Sequence, residues 1–68
     1  MNPEVFNMEL RKFLKQVGLT SQREIEKAVQ KALENGEIKG SETLRATVTL
    51  KIEQVGLTHL VQDDIELE

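Results

Sequence analysis

Residues 18–36 constrain this chain more than any other stretch, because both ends carry the chemistry that starts and stops a helix. Ser21 followed by Glu24 reads as a capping box: the hydroxyl accepts from an orphan backbone N–H while the carboxylate reaches back to the cap. Asn35-Gly36 closes the segment, since glycine takes the left-handed conformation that ends a helix without steric cost. Between these ends Ile25, Ala28, Val29, Ala32 and Leu33 fall on one side at helical spacing. The rest of the chain has to cover that side.

Upstream, Asn2-Pro3-Glu4 forms a helix start of its own, with an N-cap, proline at the first helical position and an acid near the positive dipole end. Phe6, Leu10, Phe13, Leu14 and Val17 then make one apolar stripe that holds both aromatic residues of the protein. Gly18 is expected to end this helix a few residues before Ser21. So short a connection makes the two predicted helices packed neighbours.

After the polar link around Gly36 and Gly40 the period changes to two. Leu44, Ala46, Val48, Leu50 and Ile52 alternate with Arg45, Thr47, Thr49, Lys51 and Glu53, which predicts a strand with one buried and one wet face. Gln54-Val55-Gly56 supplies a hairpin turn with glycine at positive φ. In the return segment Leu60 and Val61 are adjacent, which predicts a bulge or cover on both faces. Asp63-Asp64 reads as a second turn before a short piece, Ile65-Glu66-Leu67. The expected fold is α+β, with two packed helices followed by a small antiparallel sheet of two or three strands (ααββ or ααβββ). Residues 1–68 form a single small domain in this reading. Its inferred core is Phe6, Leu10, Phe13, Leu14, Val17, Ile25, Ala28, Val29, Ala32, Leu33, Val48, Leu50 and Ile52, with Leu57 and Val61.

Sixty-eight residues leave little room for an interior. A core of this size rarely supplies more than ~3–5 kcal/mol, and small scaffolds usually add a staple. With no cysteine, a disulfide framework and a thiolate zinc site are both out of reach, so oligomerisation is the staple that remains. The net charge is −3. Residues 1–40 carry seven basic and six acidic side chains, and residues 41–68 carry two basic and six acidic ones. That balance argues against a general polyanion binder, while leaving room for a basic patch on the helices. No apolar run is long enough to span a membrane, and no secretory signal opens the chain, so a cytoplasmic location is expected. Leu67-Glu68 reads equally as native sequence or as a cloning junction.

Several chemistries have candidate residues. A helix, a glycine-containing turn, a second helix and a hairpin invite a winged-helix reading, with Arg23, Lys27 and Lys31 as the nucleic-acid contact ridge. In the standard register, however, Glu24 and Lys27 occupy the apolar positions of the second helix. Glu24 and Glu26 also flank the ridge, as on any solvated helix. His59 is the sole histidine and has no nucleophile or orienting acid at an arguable spacing. Asp63, Asp64 and Glu66 lack the longer ligand series of a calcium loop, and the isolated glycines form no phosphate loop. No catalytic, cofactor or metal residues are expected, and no small-molecule substrate. Val5 and Met8 lie off the apolar stripe, on the side shared with Lys12, and mark a possible protein contact.

Three segments together carry a family likeness: residues 5–18 (VFNMELRKFLKQVG), residues 20–26 (TSQREIE) and Leu57-Thr58-His59. The chain resembles a family of very short, uncharacterised bacterial proteins of the kind selected as structural-genomics targets. The resemblance implies a bacterial, cytosolic origin and supplies no functional residues. The expectation from the residues is a non-enzymatic interaction module, either a homodimer or a subunit that docks on another protein. The alternative is a minimal winged-helix-like nucleic-acid binder.

Overall fold

A computed structural model describes residues 1–68 as one long helix followed by a hairpin. The chain divides into two compact units, Met1–Glu37 and Ile38–Glu68. The first is the helix α1, Pro3–Glu34, of 32 residues; the second holds strands β1, Thr43–Ile52, and β2, Leu57–Glu66.

The two ends of α1 follow the sequence signals. Asn2 Oδ1 accepts from the backbone N–H of Glu4 at 3.0 Å and of Val5 at 3.2 Å, with Pro3 in the first turn. At the other end Gly36 takes φ +73°. Its N–H donates to the Leu33 carbonyl at 3.2 Å while that of Glu37 donates to Ala32 at 2.9 Å. This paired arrangement satisfies carbonyls that would otherwise be orphaned.

The middle of the helix overturns the two-helix expectation. Residues 18–21 are helical, so there is one helix where two packed helices were expected, and no turn for a helix-turn-helix. Glycine in a helix interior costs about 1 kcal/mol relative to alanine, which a helix with intact hydrogen bonds on both sides absorbs. The Ser21/Glu24 capping box has no exposed helix end to cap. Thr20 instead turns its hydroxyl back on the chain and donates to the Gln16 carbonyl at 2.8 Å, as hydroxyl residues inside helices do.

The sheet has two strands, antiparallel, in the order β1-β2. Their pairing runs from Thr43↔Glu66 to Ile52↔Leu57 without a slip, so neither the expected bulge nor a third strand exists. Asp63 and Asp64 are strand residues opposite Ala46 and Arg45, and form no turn. Facing residues share a face, which puts Leu44, Val48, Leu50, Ile52, Leu57, Val61 and Ile65 together with Ala46, His59 and Asp63. Leu60 stands on the other face, opposite Thr49. The adjacent Leu60 and Val61 are therefore one residue on each face of a regular strand. The connection is a short 3₁₀ turn, Glu53–Val55, closed by Gly56 at φ +64°, whose N–H donates to the Glu53 carbonyl at 3.1 Å.

The core expected from the sequence is not enclosed. No side chain in the chain is buried. Phe6 is 53% exposed and Phe13 50%. Val17, Ser21, Val29 and Ala32 on the helix, and Leu44, Ala46, Leu50 and Ile65 on the hairpin, are half-buried.

Candidate functional site

On a continuous helix the apolar residues of both predicted helices fall in phase. Phe6, Leu10, Leu14, Val17, Ser21, Ile25, Ala28 and Ala32 follow one another at intervals of four, four and three residues. Every one of them lies within a third of the helix circumference. Phe13 and Val29 widen this stripe, and Leu33 lies beyond it, toward the side of Met8. The first half of the stripe is bulky and its second half is small. The phase was readable in the sequence, because a turn inserted at Gly18 would have had no reason to preserve it.

Two sets of sequence-predicted contact residues share the opposite side of α1. Val5 is 48% exposed and Met8 62%. Arg23 and Lys27 lie on the same outer side further along, while Lys31 sits at the flank of the stripe. The helix thus brings the proposed protein patch and the basic ridge onto one element, with Met8 and Arg23 about 22 Å apart. None of the three basic residues makes an ion pair. Around Lys27 and Lys31 the surface is a shallow, open depression lined also by Glu26, Gln30, Glu34 and Asn35. Within it the Gln30 amide donates to Glu34 Oε1 at 3.2 Å. The ridge is a mixed polar face with acids interleaved, and no second helix braces it.

On the hairpin, His59 faces Leu50 and Asp63 faces Ala46, both among apolar neighbours and both exposed. Asp63 Oδ1 accepts from the Asp64 N–H at 2.8 Å. Asp64 Oδ1 accepts from Arg45 Nε at 2.7 Å, in the one ion pair of the structure. That pair crosses the polar face, where solvent screens it. No three acidic or histidine side chains converge as metal ligands would, and no helix is long and apolar enough to cross a membrane.

One residue that the sequence reading passed over organises the link between helix and hairpin. Glu42 accepts from the Lys39 N–H at 2.8 Å through Oε2 and from the Gly40 N–H at 2.9 Å through Oε1. The Lys39 bond, then that of Gly40, holds the Glu42 carboxyl below the usual carboxylate range, with partial desolvation opposing. Gly40 at φ +103° makes this turn possible. The signal was a Lys-Gly-Ser-Glu sequence in which an acid follows a glycine by two positions.

The surfaces that stand out are therefore the in-phase stripe of α1 and the apolar face of the hairpin. Among curated proteins and among solved structures none matches the chain. A family model does match, over residues 1–68, and the chain belongs to that family, a family of unknown function (DUF6494).

Proposed function

We propose that the chain is a non-enzymatic protein-interaction module that completes its hydrophobic core with a partner chain, in the first place another copy of itself. The observation that carries this reading is that two well-formed amphipathic elements contain no buried side chain. A two-stranded hairpin alone is marginal in water. Helices in proteins draw most of their stability from packing an apolar face rather than from propensity. Exposed apolar faces of this kind are what protein–protein interfaces cover. Each β-strand also keeps one unpaired edge, free of proline, that a further strand can extend.

Sedimentation and thermal melts of the purified chain from micromolar to millimolar concentration test the reading. The expected result is a mass above 7.7 kDa with a midpoint that rises with concentration. A monomer lacking a cooperative melt supports the form of the reading in which the partner is a different protein. A 7.7 kDa species throughout, melting sharply at a midpoint independent of concentration, overturns it.

A further inference from the structure

The geometry points to a second copy of this chain as the occupant of the α1 stripe, seated antiparallel so that the bulky half of each helix covers the small half of the other. This rests on the interaction-module reading above and adds the partner, the orientation and the register.

The period of the stripe sets the kind of pairing. A seven-residue register that begins with Leu10, Leu14, Val17 and Ser21 continues through Glu24, Ala28 and Lys31, which places two charges in the seam. The four-four-three spacing continues instead through Ile25, Ala28 and Ala32, which moves Lys31 to the flank and leaves Glu24, in line with Phe6, at the edge of the seam. Eleven residues in three turns is 3.67 per turn, so paired helices run nearly straight or coil slightly to the right.

Side-chain size then selects the orientation. In a parallel pair Phe6, Leu10, Phe13 and Leu14 would meet their own copies at one end, while Ser21, Ala28 and Ala32 met theirs at the other. Interaxial distance follows side-chain size over about 8–10 Å, so such a pair is wedged apart at one end and hollow at the other. Reversing one helix removes the mismatch. With the two-fold axis at the height of Leu19, Phe6 lies against Ala32, Leu10 against Ala28, Leu14 against Ile25, and Val17 against Ser21. Each contact occurs twice, as a two-fold interface requires. Phe13 rests on Ala28 and the aliphatic stem of Glu24.

Charge at the flanks agrees independently. Antiparallel helices bring like flanks together, so Glu9 of one copy meets Lys31 of the other on one side. Neither residue has an ion-pair partner within its own chain.

Charge reversal tests the register. Glu9→Lys sets a second positive charge against Lys31 at both ends of the dimer, and Lys31→Glu sets two acids together, so each variant alone should weaken self-association on the order of tenfold. Mixing the two variants pairs every reversed residue with an opposite charge, and the mixture should dimerise as tightly as the natural chain, as should the doubly reversed chain. A spin label on Glu34→Cys, which is unique because the chain has no cysteine, reads orientation directly. Antiparallel copies place the labels roughly 45 Å apart or more, and parallel copies about 25 Å or less. Weakening that mixing does not restore, or the short distance, overturns the antiparallel register while leaving self-association standing. A natural chain that is monomeric throughout rules out a second copy as the occupant, and it overturns the underlying reading as well only if it melts sharply at a midpoint independent of concentration.

Discussion

At Gly18 the backbone is helical and an added methyl group would meet nothing within 4 Å. Gly18→Ala should therefore stabilise the helix by about 1 kcal/mol, seen as a higher thermal midpoint by circular dichroism. A drop would mean that Gly18 serves as a turn. Gly56 has equally open surroundings but sits at φ +64°, so Gly56→Ala should cost about 1 kcal/mol through backbone conformation alone, with Gly56→Asn costing less. The opposite signs of two identical substitutions are the check. Glu42 supplies a pH dependence. Its carboxyl is held below the ordinary range by the Lys39 and Gly40 N–H groups, so the stabilisation is present above the unfolded-state pKa and is lost as pH falls through the lower folded-state value. The amide proton shifts of Lys39 and Gly40 should titrate together, with a midpoint below that of glutamate in an unstructured peptide. A midpoint at or above that of the free residue would remove the clamp from the account.

Among the elements, β1 was legible almost residue by residue, because strict alternation has one interpretation. The Asn2 cap and the Asn35-Gly36 stop were legible for the same reason: each is local chemistry read from neighbouring residues. What escaped was the continuity of α1. Ser21 and Glu24 satisfy a capping pattern by composition, but that pattern acts only where a helix end is already free, and nothing within three residues reveals whether it is. The longer-range phase from Val17 through Ser21 to Ile25 carried the answer. Register also resolved β2: Leu60 on the polar face breaks the alternation seen in the sequence without breaking the strand. As for the candidate surface, its residues were legible as apolar faces, while their exposure was not, since amphipathicity names a face and never its partner. Two expectations follow for the helix faces. Phe13→Ala, at a half-exposed ring, should act through assembly, raising the concentration needed for dimerisation about tenfold or more; sedimentation equilibrium of the variant reads it. Arg23→Gln together with Lys27→Gln, on the outer side of the same helix, should leave that equilibrium unchanged.

For the whole molecule, self-association of the proposed kind would make folding and assembly one equilibrium. Melts of the natural chain should shift upward with each tenfold rise in concentration, and the shift should vanish in a variant with both Leu10 and Leu14 replaced by aspartate, whose helical circular dichroism should fall as well. Helicity retained by that variant at low concentration would show that α1 stands without its seam. An unburied interior has a further consequence, for the cell rather than the test tube. Where a chain reaches its folded state only in company, the fraction folded depends on copy number, and newly made chains below the association threshold stay open to proteases. Turnover then becomes a function of expression level: scarce chains are cleared quickly and abundant ones persist. If the pair forms as proposed, the lack of a buried core in one copy acts as a gate on dosage, set by the dissociation constant of the pair.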